Sequence, residues 1–500
     1  MRALTIAAIS VWAIASLVAG CRERVELAEL TAATTSQDFH LVSEDGEGRA
    51  GAYLISLVAQ AAGDTRLASQ AMMEALKADP ENIDILYDAY VLLVMGGDVG
   101  KAAALARRKI AVRNDAVMAS VIVAVDDASR GDYKAAHKVL AAAPITEKTG
   151  SLIVPLLKTW AAVGTGAAPK KAVEELAPLS RDKQNAGLYK LAEASVLAGE
   201  SAQVGFTESL WLFAASNYKN GKMETAEIFS RLALHIDPKF VEGLSLLAGI
   251  MEAKERYGEA GDLYAQVPSG HSAKAAMMRK AAIDYGRIGQ EDKALKILRD
   301  LAAKNSKSPE LQLDIGDMLR KKKQYQGAIS AYTAAIEGFG TDSKAWGGYF
   351  GRAIAYDGAG QWPKAEADLK KALEILPQNY ITLNYLGYVW ADRGENLEAA
   401  GKMLAAALKL SPENGEIIDS LGWLELKRGR EADAVALLER AVQFLPASAV
   451  VNYHLGEAYY ASGRKLEARY QFDKALTLPA AETDLKPAER ARIEALNLGR

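Results

Sequence analysis

The sequence has very few of the side chains that usually carry chemistry or covalent cross-links. It contains one cysteine and five histidines among 500 residues. A single cysteine excludes an internal disulfide and any cluster of cysteine ligands for a metal. No two histidines are spaced to meet on one helix face, and no Gly-x-Ser-x-Gly sequence occurs. We therefore predict no catalytic residue, no metal site and no cofactor, and an enzyme with a hidden site is the alternative class.

The charges are nearly balanced, and long apolar runs are scarce. The formal net charge is −3 and the sequence pI is about 6.1, so there is no basic field of the kind that binds nucleic acid. The one run of cations, Arg320 to Lys323, is predicted to end a helix, where the helix dipole favours positive charge. Beyond the first 20 residues no apolar run reaches the length of about 20 residues that crosses a bilayer.

Three near-copies of one unit follow one another between Asn379 and Pro479. Each copy has a Leu-Gly pair, an alanine, a second alanine seven residues later and a closing proline. These positions are Leu386-Gly387, Leu421-Gly422 and Leu455-Gly456, then Ala400, Ala434 and Ala468, then Ala407, Ala441 and Ala475, then Pro412, Pro446 and Pro479. The glycines repeat after 35 and 34 residues and the alanines after 34, which is typical of the tetratricopeptide unit, a helix-turn-helix of 34 residues.

Each repeated position has a physical reason. The glycine lets the second helix of a unit approach the first, and the two alanines lie on one helix face, where the next unit can come close. The proline ends the second helix. The first alanine recurs back to Ala226, and pairs such as Gly63 and Ala68 carry the register to the N-terminal part. We therefore predict an all-α, right-handed α-solenoid of about 11–12 units.

The repeat pattern weakens between about Ala143 and Asn217. We predict a break near Val204, which divides an N-terminal array (49–205) from a C-terminal array (206–480). The alternative is a continuous stack in which these units are merely degenerate. After the last unit, Lys486-Pro487 is typical of a helix start, and residues 481–500 are predicted to form a capping helix.

The N-terminus has the pattern of an export signal. An apolar run from Ala3 to Ala19 follows one cation, which predicts a signal peptide over residues 1–20. Val18–Cys21 resembles the bacterial lipobox, in which the cysteine thiol, here Cys21, receives a lipid. The alternative is an ordinary signal peptide with a chance cysteine. By the same resemblance, Arg22 favours the outer membrane, facing the periplasm. Residues 21–48 are polar and predicted to be a flexible tether.

The binding surface of such a solenoid is expected on its first helices, on the side chains that do not pack between units. In the last three units these positions are Asn384, Tyr388, Asp419, Trp423, Tyr453, Glu457 and Tyr460. Tyrosine and tryptophan are frequent in binding hot spots, and asparagine can hydrogen-bond a peptide backbone. The alternative is that the aromatic side chains pack in the core, and for Trp423 both interpretations stay open.

Three segments carry a family resemblance: Asn384 to Gly394, Ile418 to Trp423 and His454 to Ala458. They resemble a family of proteobacterial tetratricopeptide lipoproteins over roughly residues 345–475. Some members look like adaptors that hold a periplasmic carboxyl-terminal processing protease and present cell-wall hydrolases to it. The resemblance implies a lipid-anchored scaffold that binds extended segments of other proteins. The alternative is an assembly lipoprotein of a secretion, pilus or polysaccharide-export machine.

Overall fold

The computed structural model of the chain describes residues 48–112, 116–144, 148–180, 186–305, 307–478 and 485–496. Within these ranges all regular secondary structure is helical. Contacts between helices divide the chain into two compact units, with the division between Ile297 and Leu298. The predicted signal peptide 1–20, the predicted lipidation site Cys21 and the tether up to residue 47 lie outside the described residues.

The first unit consists of helix pairs and one irregular stretch. Its helices are α1 (Gly48–Ala61), α2 (Thr65–Ala78), α3 (Ile83–Met95), α4 (Val99–Val112), α5 (Val117–Ser129), α6 (Tyr133–Ala141), α7 (Lys148–Gly164), α8 (Pro169–Val173), α9 (Ala177–Ser180), α10 (Ala186–Leu197), α11 (Ala202–Lys219), α12 (Met223–Ile236), α13 (Val241–Ala253), α14 (Tyr257–Ala265) and α15 (Lys274–Arg287). A 3-10 helix at Glu174–Leu176 lies between α8 and α9, and α16 (Glu291–Lys304) spans the division.

The second unit is more regular. Its helices are α17 (Pro309–Lys321), α18 (Tyr325–Phe339), α19 (Ala345–Gly358), α20 (Trp362–Ile375), α21 (Tyr380–Arg393), α22 (Leu397–Leu410), α23 (Gly415–Lys427), α24 (Glu431–Phe444), α25 (Ala449–Ala461), α26 (Lys465–Thr477) and α27 (Pro487–Ala495). Consecutive helices from α17 to α26 pack as hairpins. The predicted fold class, an all-α solenoid of stacked hairpins, is confirmed.

Local sequence signals explain where these helices begin and end. The first helices α21, α23 and α25 each start behind a side chain that accepts a backbone N–H of the first turn: Asn379, Asn414 and Ser448. Such caps satisfy donors that have no partner inside the helix. The turns before α24 and α26 contain Gly429 and Gly463, whose φ angles of 70° and 81° favour glycine.

The repeated small residues have the packing role that the sequence predicts. A Cβ on Gly422 would lie 2.5 Å from Leu438, and one on Gly456 would lie 2.5 Å from Phe472. Both partners belong to the second helix of the same hairpin, so the glycines permit the close approach of the two helices. The repeated alanines, such as Ala434, are fully buried. The spacing of small residues therefore sets the spacing of the helices.

The stretch with weak repeats lies inside the first unit. Helix α11 packs directly against α7, and a Cβ on Gly205 would lie 1.9 Å from the Trp160 ring. The helices between them form a separate small core around Leu176 and Leu179. Residues on both sides of residue 205 therefore pack together. The two compact units divide after Ile297, and the predicted break near Val204 stays a prediction.

The first unit also folds back on itself. Helix α12 packs against both α3 and α5, and its apolar side chains share one core with those of α1 to α7. The His235 ring lies 3.2 Å from the Ser129 hydroxyl. Beyond α12, Arg256 donates to Thr65 over 2.9 Å, which links residues 191 positions apart in the chain. Helices α3 and α5 are therefore partly covered by a later helix of the same unit.

Candidate functional site

The predicted binding residues lie on three first helices of the second unit. Asn384 and Tyr388 belong to α21, Asp419 and Trp423 to α23, and Tyr453, Glu457 and Tyr460 to α25. Helix α21 contacts α23, and α23 contacts α25, so the three first helices form one continuous wall. The structure brings all the predicted residues except Asn384 into the same aromatic and charged cluster.

The buried side chain of His454 lies at the centre of this cluster. Trp423 stacks on the imidazole with a centroid distance of 4.0 Å and an angle of 20° between the planes. Tyr453 and Tyr388 approach the same ring, with centroids at 5.7 and 6.1 Å. Both carboxylate oxygens of Asp419 lie 3.0 Å from Nδ1. These two contacts hold the imidazole ring in place between Asp419 and Trp423.

The indole of Trp423 joins this cluster to Asp392. Its Nε1–H donates to the Asp392 carboxylate over 3.2 Å, and only 6% of the residue is exposed. Burial raises the pKa of Asp392, but the hydrogen bond and charge of Lys486 outweigh burial and lower it overall. Asp392 therefore stays ionised at neutral pH and presents a negative charge at the surface of the wall.

Helix α27 lies against this wall. Lys486 donates to Asp392 on α21 over 2.8 Å, and Arg492 donates to Glu457 on α25 over 3.2 Å. The apolar side chains of Leu485 and Ile493 are 4% and 7% exposed, in the same core as Trp423 and Tyr453. The predicted helix after the last repeat is therefore present over Pro487–Ala495, and its ion pairs reach across to first helices of earlier hairpins.

The cations of α27 also lie over two aromatic rings. Lys486 is 5.9 Å from the centroid of Tyr388, and the guanidinium of Arg492 is 5.8 Å from that of Tyr460. Contacts of this kind add a modest attraction at exposed sites. We refer to Tyr388, Asp392, Trp423, Tyr453, Glu457 and Tyr460 together as the inner-face site. The site consists of aromatic side chains with two carboxylates, Asp392 towards one end and Glu457 towards the other.

The predicted residues differ in how far they reach the surface. Asp419, Trp423 and Tyr453 are buried, whereas Tyr388, Glu457 and Tyr460 are half-buried. Trp423 packs in the core that also contains Leu485 and Ile493, and whether it contacts a partner stays a prediction. The side-chain oxygen of Asn384 is buried, with no hydrogen-bond partner in the described part of the chain. That these residues bind a partner stays a prediction.

Sequence reasoning did not assign four residues of this region to the site: Asp392, His454, Lys486 and Arg492. Asp392 lies eight residues after Asn384, about two turns along the same helix, so helical periodicity could have found it. His454 directly follows Tyr453 and falls outside the positions that periodicity selects. Lys486 is 94 positions from its partner, and no local pattern predicts such a contact.

Two other kinds of site are absent from the described residues. No group of three or more His, Cys, Asp or Glu side chains there is placed to hold a metal ion. In the same ranges, none of the helices has the length and apolar character needed to cross a membrane.

Part of the chain matches a known type of repeat. A tetratricopeptide repeat model matches residues 279–343, 350–415 and 420–484. A TPR repeat-containing protein of Pseudomonas aeruginosa is 26% identical over 213 residues, which is 42% of this chain and 35% of the relative. The match therefore spans about a third of the relative's length.

Several solved structures are similar in architecture. A tetratricopeptide repeat protein from Parabacteroides merdae has 18% identity and a TM-score of 0.44, over 50% of this chain and 98% of its own. The Cut9–Hcn1 complex has 13% identity and a TM-score of 0.42, over 91% of each chain. YrrB, described as a TPR protein with an unusual peptide-binding site, has 20% identity and a TM-score of 0.30, over 35% and 89%. The three stretches matched by the repeat model identify tetratricopeptide repeats between residues 279 and 484 of this chain.

Proposed function

We propose that this protein is a lipid-anchored scaffold of the outer membrane that faces the periplasm and binds segments of other proteins on its inner-face site. It acts as an adaptor that holds a carboxyl-terminal processing protease and presents cell-wall hydrolases to it. Anchoring is supported by the sequence Val18–Cys21. Binding is supported by the repeat fold, which usually serves recognition and not catalysis, so we propose no enzymatic activity.

One observation carries the binding proposal. The inner-face site holds a helix, α27, through buried apolar side chains and two ion pairs, Lys486–Asp392 and Arg492–Glu457. Aromatic side chains with charged neighbours are the usual composition of a protein-binding hot spot. A wall that accommodates one helical segment has the shape and chemistry to accommodate another.

Affinity purification tests this function with two tyrosine variants of the full chain. Tyr460→Ala removes an aromatic side chain of the inner-face site, and Tyr470→Ala removes one that is 65% exposed on α26. Loss of a hot-spot aromatic costs about 2 kcal/mol of binding, roughly thirtyfold in affinity. We expect Tyr460→Ala to lose the processing protease and its hydrolase substrates from detergent-solubilised envelopes, and Tyr470→Ala to retain them.

Two outcomes contradict the proposal in different ways. If the wild-type protein retains neither protease nor hydrolases but copurifies with a secretin or an export component, the protein is an assembly factor. If both tyrosine variants retain the partners equally, binding takes place on another surface. Thermal melting of each variant checks that the fold is intact, because loss of the fold also abolishes capture.

A further inference from the structure

The contacts of α27 differ from those of a helix that only closes the end of a repeat stack. Its two ion pairs reach α21 and α25, which belong to different hairpins with α23 between them. Helix α27 therefore crosses three first helices along the inner-face site. It occupies the surface on which the proposed function places a partner, and the inference below rests on that function.

Helix α27 is held weakly, because it is short and its ion pairs are exposed to solvent. The side chains of Lys486 and Arg492 are 54% and 47% exposed, and ion pairs in such surroundings add little to stability. A nine-residue helix is also marginal without packing. The apolar side chains of Leu485 and Ile493 supply most of the hold. A contact of this size can exchange with a competing segment.

The short connection between α26 and α27 favours binding of α27 over binding of a separate protein. Six residues separate the last residue described after α26 from Leu485. A short connection of this kind produces an effective concentration in the millimolar range. A weak helix then covers the site most of the time, and a free partner meets a site that is already occupied. Helix α27 thus lowers the apparent affinity of any partner that uses the same surface.

The chemistry of α27 indicates what such a partner carries. Leu485 and Lys486 stand together at its start, and Arg492 and Ile493 stand together six to eight residues later. Each cation pairs with a carboxylate of the site. Each apolar side chain packs in the core that contains Trp423 and Tyr453. We propose that the inner-face site is a binding site for an amphipathic helix of another protein that carries cations beside its apolar side chains, and that α27 is its intramolecular competitor.

A peptide-binding assay with the full chain tests this inference. The probe is a fluorescein-labelled peptide with the sequence of residues 483–498, and fluorescence anisotropy measures its affinity. Leu485→Asp combined with Ile493→Asp in the protein removes the apolar side chains that supply most of the hold of α27. We expect this release variant to bind the peptide at least tenfold more tightly than the wild type does, because the tethered competitor is weakened.

Two further proteins locate the site. Adding Asp392→Lys and Glu457→Lys to the release variant removes the carboxylates that face the peptide, and we expect binding to fall back at least tenfold. Leu466→Asp with Tyr470→Asp replaces the same number of apolar side chains at exposed positions of α26, and should bind the peptide as the wild type does. Hydrogen exchange over residues 449–461 checks that each variant is folded.

The results distinguish failure of the inference from failure of the proposed function. If a folded release variant binds the peptide no better than the wild type, or if removal of the two carboxylates has no effect, the inference is wrong whatever partners the cell supplies. If the peptide binds as expected, it should also elute a captured processing protease or hydrolase. A captured partner that stays bound at saturating peptide overturns the assignment of the partner as an amphipathic helix of this kind, although capture itself still stands.

Discussion

Trp423 connects the core of the second unit to the inner-face site, and its truncation should destabilise the helices around it. The indole stacks on the fully buried His454 with centroids 4.0 Å apart, and its Nε1–H donates to Asp392. Only 6% of Trp423 is exposed. A residue in these surroundings contributes both packing and a hydrogen bond, and two substitutions separate the contributions.

The two substitutions should have different costs. Trp423→Ala removes a buried aromatic side chain and leaves a cavity beside His454, which costs about 3–5 kcal/mol. Trp423→Phe keeps a ring against the imidazole and loses the hydrogen bond to Asp392. That loss should cost about 1–2 kcal/mol, because the carboxylate still accepts from Lys486 and is not left unpaired.

Hydrogen exchange is the suitable assay, because a chain with two compact units need not unfold in a single transition. Protection of backbone amides in residues 415–461 reports the free energy of opening around Trp423. Tyr470→Ala, at a 65% exposed position, should change this free energy by about 0.5 kcal/mol or less. If Trp423→Ala costs no more than this control, the ring is not packed as described. If Trp423→Phe costs as much as Trp423→Ala, the hydrogen bond, and not packing, dominates.

Three other predictions concern packing, protonation and anchoring. Gly456→Ala should lower the free energy of opening of α25, measured by hydrogen exchange, by about 1–3 kcal/mol, because its Cβ would lie 2.5 Å from Phe472. Gly249→Ala should not lower that of α13, because its Cβ would meet no atom within 4 Å. Burial and a neighbouring carboxylate raise the pKa of Asp284 to about 7, so stability from this group is lost as the pH rises from about 4 to 7, by up to about 1.4 kcal/mol per pH unit. Asp284→Asn should flatten that pH dependence of unfolding, and an unchanged slope would refute the assignment. Cys21→Ser should leave the protein without lipid, as seen by partition in detergent phase separation, and a wild type that stays in the aqueous phase contradicts the lipobox.

The regular part of the fold could be predicted because it depends on short-range spacing. The interval of 34 residues between Ala400, Ala434 and Ala468 repeats the contacts of one hairpin, and each contact joins residues close in sequence. Gly422 and Gly456 indicated the close approach of two helices, and the structure confirms it. The turns and caps follow from the preferences of single residues.

The long-range packing could not be predicted in the same way. Helix α12 closes the first unit against α3 and α5, and α27 lies on α21 and α25, through contacts that no repeat spacing encodes. The predicted break near Val204 relied on missing repeat positions and stays a prediction. Gly205 packs against Trp160, a contact between α11 and α7 that repeat spacing also does not encode. The inner-face residues Tyr388, Glu457 and Tyr460 follow from helical periodicity, whereas their cover, α27, does not.

The most direct test of the central claim is site-specific photocrosslinking in living cells. The photoreactive amino acid benzoylphenylalanine replaces either Tyr460, in the inner-face site, or Tyr470, exposed on α26. If partners bind on the inner face, position 460 should form an adduct with the processing protease or its hydrolase substrates, and position 470 should form none. An adduct of those proteins at position 470 with none at position 460 would contradict the account.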